Sequence, residues 1–297
     1  MNEQKIDFIV AYNNERTFGE CLFYLDKLAV PEGYEMGLLS INDGESMTGA
    51  YNEAMQASTA KYKVYLHQDV FILNRNFISD ILAVFQSDAT IGMIGVLGGV
   101  NLPRNGIFFN TWNVGRVKAD GAAGVVEIDW NPPESGAAVE AIDGMIMITQ
   151  YDLPWREDLF QGWDFYDASQ SFEFRNQGYK IVVPYQKEAW CLHDCGASKL
   201  HNYEESRLIF VKEYIKDCGA AELKEYGANQ EEKAKRLSGI KERLVRLFAQ
   251  KEFAEIYAIL QPIDDKDLPN TELRYEERLG NQPLGKRGRR ARLCAIC

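Results

Sequence analysis

The chain has 297 residues, 46% of them hydrophobic, so it can bury a sizeable core as one large domain with or without an appendage. Its formal net charge of −11 argues against a general nucleic-acid binder, because such proteins concentrate positive charge. Six cysteines in a chain of this length do not make a disulfide framework. No apolar run approaches the roughly eighteen residues of a membrane span, and residues 1–4 are not typical of a signal peptide. We therefore expect a cytoplasmic protein without a transmembrane segment.

The first predicted elements alternate between strand and helix. Residues 6–12 are apolar and rich in β-branched side chains, which predicts a buried strand that ends at polar residues suited to a helix start. Apolar residues then recur at spacings of three and four from Phe18 to Leu28, which predicts an amphipathic helix. Residues 36–41 predict a second strand. This order indicates a parallel sheet with a right-handed crossover.

Polar side chains follow the next predicted strand. A helix pattern at residues 46–54 is followed by an apolar run, residues 64–71, that contains His67, Gln68 and Asp69. A buried strand of this kind delivers polar groups to its carboxyl end, where open sheets bind ligands. His67 and Asp69 are therefore candidate metal ligands.

The following segments predict the remainder of an α/β domain. A helix is predicted at residues 77–85 and a strand at residues 91–97, whereas residues 98–136 lack a helical period and predict hairpins or loops at the rim of the sheet. Residues 141–149 predict one buried strand that opens with Asp-Gly. A helix that ends at Gly178 is predicted next, and a strand is predicted over residues 180–184.

The last third of the chain differs in composition. Residues 201–262 predict two to four helices, and residues 263–297 predict a polar, flexible tail. A basic run at residues 285–292 would attract anionic lipid or an acidic partner only weakly. Cys191 and Cys195 flank His193, but no second pair stands at a zinc-finger spacing, so reduced thiols are favoured over structural zinc.

Residues 46–54 and 64–71 together resemble the nucleotide-sugar half of a GT-A glycosyltransferase. The resemblance is to family-2-like enzymes that carry His-Gln-Asp-Val where most relatives carry Asp-x-Asp, and it covers about the first two thirds of the chain. It implies an α/β fold of the GT-A (Rossmann-like) class, with a mixed, mostly parallel sheet flanked by helices. It also implies a catalytic domain at residues 1–200 and a helical appendage after it.

The resemblance assigns a metal and a donor substrate. It implies a divalent ion, Mn²⁺ or Mg²⁺, with Asp69 as the strongest ligand, His193 as the second and His67 as the third. The donor is a nucleoside-diphosphate sugar. The residues expected to bind it are Tyr12, Asn14, Asp43, Asn52, Gln68, Asp143, Gly144 and Trp163. Several of these residue types also suit turns or solvated positions without any ligand.

The resemblance also assigns a general base. In family-2 enzymes the catalytic carboxylate precedes a glycine by eleven residues, and Asp167 precedes Gly178 by that number. Tyr166 stands where the family usually has an acid, and Asp164 lies one helical turn earlier and could share the role. Without the resemblance, both aspartates are explained as first-turn residues that complement the helix dipole.

These assignments predict a metal-assisted, inverting glycosyltransferase with a glycan, lipid or protein acceptor that the sequence does not identify. The alternative is a non-catalytic GT-A-like module that binds a nucleotide sugar or a partner, and the altered motifs are the reason to consider it. A nucleotidyltransferase ranks last, because residues 11–16 lack a glycine-rich basic phosphate loop.

Overall fold

The amino-terminal part of the chain folds as alternating strands and helices in the computed structural model, which describes residues 1–108, 111–121, 124–194, 202–215 and 255. The elements are β1 (Asn2–Tyr12), α1 (Glu15–Leu25), β2 (Glu35–Asn42), α2 (Met47–Ala57) and β3 (Ala60–His67). Strand β1 is parallel to both β2 and β3. Side-chain oxygens of Asn14 and Ser46 cap α1 and α2, which fixes where each helix begins.

The described chain then adds short strands and three further helices. The strands are β4 (Val70–Ile72), β5 (Ile91–Gly95), β6 (Leu97–Gly99), β7 (Val114–Gly121), β8 (Gly124–Trp130), β9 (Ala137–Ala138), β10 (Ala141–Ile142), β11 (Ile146–Thr149), β12 (Lys180–Val183) and β13 (Cys191–His193). The helices are α3 (Phe77–Ser87), α4 (Tyr166–Asn176) and α5 (Tyr203–Phe210), and a π-helical turn (Val211–Ile215) continues α5.

The main sheet has seven strands in the order β2-β1-β3-β11-β5-β12-β9. Strand β11 is antiparallel to β3 and β5, β12 is parallel to β5, and β9 is antiparallel to β12. All strands of this sheet except β11 and β9 therefore run in the same direction. Helices cover both faces, because Phe8 contacts Phe77 of α3 while the adjacent Ile9 belongs to the core that α2 and α4 complete. The predicted fold class, a mixed and mostly parallel α/β sheet flanked by helices, is confirmed.

A second sheet has the order β10-β6-β7-β13-β4, with β8 paired to β7. Strand β13 is antiparallel to β4 and places His193 opposite Val70. The β7–β8 pair lies within residues 98–136, where hairpins were predicted. The pairing of β13 with β4 brings His193 close to the turn that follows β3.

The prediction of one continuous strand over residues 141–149 was wrong. Strand β10 pairs with β6 in the second sheet, whereas β11 pairs with β3 and β5 in the main sheet. The chain changes sheets at Asp143–Met145. Residues on both sides are buried, so the apolar run continues through the break, which coincides with the Asp143-Gly144 turn dipeptide.

The structure describes only the beginning of the predicted helical region, residues 201–262, and residue 255. Helix α5 and its π-helical turn lie in the predicted helical region, and Phe210 packs in a core cluster with Phe108 and Phe165. The rest of the predicted helical region, residue 255 apart, and the predicted tail lie outside the described residues, as does Cys195. In the described ranges, no helix combines the length and hydropathy needed to cross a membrane.

Candidate active site

Three potential metal ligands converge where the two sheets meet. His67 is the last residue of β3, Asp69 lies in the turn before β4, and His193 is the last residue of β13. The antiparallel β13–β4 ladder extends past His193, because the Asp194 amide donates to the Asp69 carbonyl over 2.8 Å. Strand pairing therefore brings together residues that are far apart along the chain.

The side chains of this triad form a tight group that reaches the surface. One ligand atom from each of the three residues lies within 4.8 Å of the others. Asp69 Oδ1 lies 3.5 Å from His193 Nε2 and 3.9 Å from His67 Nδ1. The side chains keep 28% (Asp69), 25% (His67) and 16% (His193) of their exposure, so solvent or a ligand can reach them.

Their electrostatics suit a cation. Burial raises the pKa of Asp69, but the hydrogen bond with His193 and the nearby imidazoles outweigh it and leave the pKa below its ordinary value. Burial lowers the pKa of His67 below its ordinary value, against an opposing effect of Asp69. Burial also lowers the pKa of His193, but its hydrogen bond to Asp69 and the charges of the nearby carboxylates together outweigh burial and raise the pKa overall. An ionised carboxylate thus lies beside a neutral His67, and both are forms that bind metal ions.

Tyr166 connects the triad to the predicted base. Its hydroxyl shares a hydrogen bond with His67 Nε2, and its ring is buried against Tyr51 and Trp155. A Cβ added at Gly144 would overlap the Tyr166 phenol, so only glycine leaves room for this contact. Burial raises the pKa of Tyr166 well above its ordinary value, which keeps the phenol neutral.

Asp167 follows Tyr166 at the start of α4 and is held by backbone donors. Its Oδ2 accepts the Gly144 amide at 3.0 Å, and its Oδ1 accepts the Ala168 amide at 2.7 Å. Burial, with a smaller contribution from the charge of Asp143, raises the pKa of Asp167 to about 7. The same Asp143 charge also acts on both imidazoles of the triad. The break between β10 and β11 therefore places Asp143 and Gly144 beside both parts of the site.

The backbone before α4 adopts an unusual conformation. Phe165 has φ 64° and ψ 3°, the left-handed region that L side chains seldom occupy. Its ring packs against Phe108, Tyr203 and Phe210, with ring centroids 4.9–5.7 Å apart. Packing in this aromatic cluster stabilises the turn that directs Tyr166 and Asp167 into the site.

Four predicted donor-binding residues lie at or near the ends of β1 and β2 or in the turn after β3. The Gln68 side chain accepts the amides of Asn13 and Asn14 and donates to Asn13 Oδ1. Tyr12 stacks on Phe18 at a centroid distance of 4.0 Å. Asp43 is exposed, has φ 49° and donates its amide to the Tyr12 carbonyl. Contacts join β1 to the turn after β3 and to the end of β2, so these residues lie along one edge of the sheet.

Three other predicted site residues have different surroundings. Asn52 is buried, and its amide donates to the Trp155 carbonyl and accepts the Trp155 amide, both at 2.9 Å. These two hydrogen bonds hold the chain at Trp155. Asp164 accepts the Asn202 amide at 3.2 Å, at the start of α5. Trp163 is 39% exposed, which is unusual for an indole ring.

A groove of about 980 Å³ lies elsewhere on the molecule. Its lining includes Asn74, Val84, Lys180, Tyr185 and Trp190. None of the predicted site residues lines it. The ionisable groups of the predicted site converge at the triad and Asp167, away from this groove.

The family assignment follows from the sequence as a whole. Residues 7–214 match the model of a family described as "Glycosyltransferase like family". The match extends over more than half of the chain. The chain belongs to this family. No curated protein matches the sequence.

Solved structures that resemble this glycosyltransferase-like chain share little sequence with it. The mannosyltransferase PcManGT from Pyrobaculum calidifontis, in complex with GDP-Man and Mn²⁺, is 15% identical, with a TM-score of 0.49 over 74% of this chain and 66% of that chain. S. aureus TarS 1–349 in complex with UDP-GlcNAc is 14% identical, with a TM-score of 0.42 over 98% of this chain and 88% of that chain. Another S. aureus TarS structure has a TM-score of 0.44 and 14% identity over 93% of this chain and 52% of that chain. The chain thus spans about two thirds of the PcManGT chain and about half of this TarS chain.

Sequence reasoning missed the direct contact between the two variant positions of this glycosyltransferase-like chain. His67 and Tyr166 each replace an acid that the family-2 resemblance implies, and their side chains share a hydrogen bond. The signal in the sequence was the pair of departures itself, 99 residues apart. Only the three-dimensional arrangement shows that they touch.

Proposed function

We propose that the protein transfers a sugar from a nucleoside-diphosphate sugar to an acceptor hydroxyl, with a divalent ion held by His67, Asp69 and His193 and with Asp167 as general base. The observation that carries the proposal is a continuous line of contacts from the triad to the base. Asp69 lies beside both imidazoles, His67 is hydrogen-bonded to Tyr166, and Asp167 is the next residue.

The donor set of the triad fits a divalent ion such as Mn²⁺. Two imidazoles and one carboxylate are within mutual reach, and manganese accepts both nitrogen and oxygen ligands. The partial exposure of all three side chains leaves room for oxygen ligands from a diphosphate. When bound, such an ion would stabilise the growing negative charge of the diphosphate leaving group as a Lewis acid.

Asp167 has the properties of a general base for a hydroxyl group. Its pKa of about 7 leaves a substantial fraction ionised at neutral pH while keeping its affinity for a proton high. The Gly144 and Ala168 amides fix both carboxylate oxygens. In the proposed step the acceptor oxygen bonds to the anomeric carbon, the bond from that carbon to the diphosphate oxygen breaks, and the hydroxyl proton passes to Asp167. A single displacement of this kind inverts the anomeric centre.

The nucleotide is proposed to lie along the edge formed by the ends of β1 and β2. Tyr12 offers a ring, and Asp43 offers an exposed carboxylate for ribose or base hydroxyl and amino groups. Asn14 and Gln68 contribute by fixing the loop between β1 and α1. Asp143 and Gly144 lie next to the base, where the donor sugar would meet the acceptor, and the exposed Trp163 indole is a stacking surface for a sugar ring.

The direct test is release of nucleoside diphosphate from a panel of sugar nucleotides with Mn²⁺, together with calorimetric measurement of donor binding. We expect one or more donors to bind and turn over. Asp167→Asn should abolish transfer while donor affinity stays within a few-fold of the wild type. Asp164→Asn is the matched control and should retain transfer. Transfer that survives in Asp167→Asn would assign the base elsewhere.

The alternative function is a module that binds a nucleotide sugar without turning it over. The observation that favours it is the replacement of two implied acids by His67 and Tyr166. Donor binding without product release, unchanged in Asp167→Asn, would support this alternative and contradict the enzymatic proposal.

A further inference from the structure

The environment of His67 differs on the two sides of its ring. Nδ1 lies 3.9 Å from Asp69 Oδ1, on the side of the triad, and Nε2 is hydrogen-bonded to the Tyr166 hydroxyl. A neutral imidazole carries one proton, and only its unprotonated nitrogen can bind a metal ion. The partner of Nε2 therefore decides whether Nδ1 is available to the triad.

We propose that Tyr166 is a positioning residue for His67: its phenol oxygen accepts the Nε2 proton, so that Nδ1 stays unprotonated and faces Asp69 and His193. The inference rests on the metal site of the proposed function and names the residue that orients one of its ligands. Hydrogen bonds of this kind fix the tautomer and the ring orientation of histidine ligands, and their loss typically weakens metal binding by about 10–100-fold.

The phenol is itself held in place, as a positioning role requires. Tyr166 is 4% exposed, and its ring contacts Tyr51 at 6.0 Å and Trp155 at 6.3 Å between centroids. Gly144 lies against its hydroxyl end, where any larger residue would overlap the phenol. A fixed phenol leaves His67 Nε2 one partner at a constant position.

The chain provides a matched control for removal of this hydroxyl. Tyr51 is fully buried in the same aromatic cluster, and its hydroxyl has no hydrogen-bond partner within the described residues. Tyr51→Phe and Tyr166→Phe therefore remove the same group from the same cluster. Only the second removes a group that contacts the triad.

The first experiment measures Mn²⁺ affinity of the nucleotide-free full chain by electron paramagnetic resonance. The proteins are the wild type, Tyr166→Phe, Tyr51→Phe, His67→Asn and the His67→Asn/Tyr166→Phe double variant. We expect Tyr166→Phe to bind Mn²⁺ about tenfold or more weakly than the wild type, and Tyr51→Phe to bind it equally. In the His67→Asn background, Tyr166→Phe should have no further effect, because Tyr166 acts through His67.

The second experiment reads the tautomer directly from the imidazole nitrogen chemical shifts of the metal-free protein. The chain has three histidines, so His67→Asn assigns the His67 signals. We expect the Nε2-protonated tautomer in the wild type and in Tyr51→Phe, and a mixture of tautomers in Tyr166→Phe. A general loosening of the fold would not by itself explain why the wild type and Tyr51→Phe hold a single His67 tautomer and Tyr166→Phe does not.

The outcomes separate this inference from the proposed function. If the wild type does not bind Mn²⁺, or if His67→Asn binds it as tightly as the wild type, the proposed metal site fails and the inference fails with it. If His67→Asn weakens binding and Tyr166→Phe does not, the metal site stands and the inference alone is overturned. An equal loss from Tyr166→Phe in both backgrounds also overturns it.

Discussion

Replacing Asp167 by asparagine should change how the stability of the fold depends on pH. Burial, with the charge of Asp143 second, raises the pKa of this carboxyl from its ordinary value of 3.8 to about 7. The folded state therefore binds a proton over a pH range in which the unfolded state has already lost it. This contribution to stability is fully present below pH 3.8 and is lost as pH rises through about 7.

The magnitude follows from the two pKa values. At about 1.36 kcal/mol per pKa unit, the wild type should lose roughly 2–3 kcal/mol of unfolding free energy between about pH 5 and about pH 8 through this group alone. Asparagine cannot ionise, so Asp167→Asn lacks this loss. The variant also forfeits part of the hydrogen bonding to Gly144 and Ala168, but that cost is the same at both pH values and cancels in the comparison.

The assay is chemical denaturation of both proteins near pH 5 and near pH 8 in the presence of a chelator. Asp167→Asn should gain roughly 2–3 kcal/mol relative to the wild type between the two conditions. Asp88→Asn is the control, because Lys180 and Thr90 lower the pKa of Asp88 to about 2 and its stabilisation is lost only below this pH window. The difference in unfolding free energy between Asp88→Asn and the wild type should be the same at both pH values. The reasoning is refuted if Asp167→Asn also differs from the wild type by the same amount at both pH values.

Three further predictions concern turnover, packing and the metal site. The kcat/KM for transfer should rise with pH through about 7, since Asp167 must be ionised to act as a base, and nucleoside-diphosphate release at a series of pH values measures it. Phe210→Ala should lower the unfolding free energy by about 3–5 kcal/mol and reduce turnover, whereas Leu208→Ala, at an exposed position of the same helix, should do neither. Gly144→Ala should weaken Mn²⁺ binding, because its Cβ overlaps the neighbouring tyrosine ring, whereas Gly162→Ala has open space and should not.

Local signals explain which parts of the fold the sequence predicted well. Strand β1 contains the apolar run of residues 8–12, and the helices after β1 and β2 are preceded by Asn14 and Ser46, which are strong capping residues. Asp69 and Asp167 could be named as candidates from the sequence, because one follows a buried strand and the other stands at the distance from Gly178 that the family-2 resemblance implies. In the structure the charges of both carboxylates act on the buried Tyr166.

The features that escaped prediction depend on residues far apart in the chain. The Asn52 side chain forms two hydrogen bonds with the Trp155 backbone, 103 residues away, and no local pattern indicates that contact. The left-handed turn before Asp167 occurs at Phe165, although such turns favour glycine or asparagine and cost other residues roughly 1–2 kcal/mol. Packing against Phe108 and Phe210 offsets that cost. No local rule identifies Phe165 as a turn residue.

The His67–Tyr166 contact gives a physical reason for the two departures from the family-2 pattern to occur together. The resemblance implies an acid at each position, and two carboxylates in this contact would repel each other, so that one would hold a proton. An imidazole and a phenol instead form a neutral hydrogen-bonded pair. The difference matters for Asp167, the proposed base, because the charge of Asp143 already contributes to raising its pKa to about 7. Another carboxylate next to Asp167 would raise that pKa further and leave less of the base ionised at neutral pH.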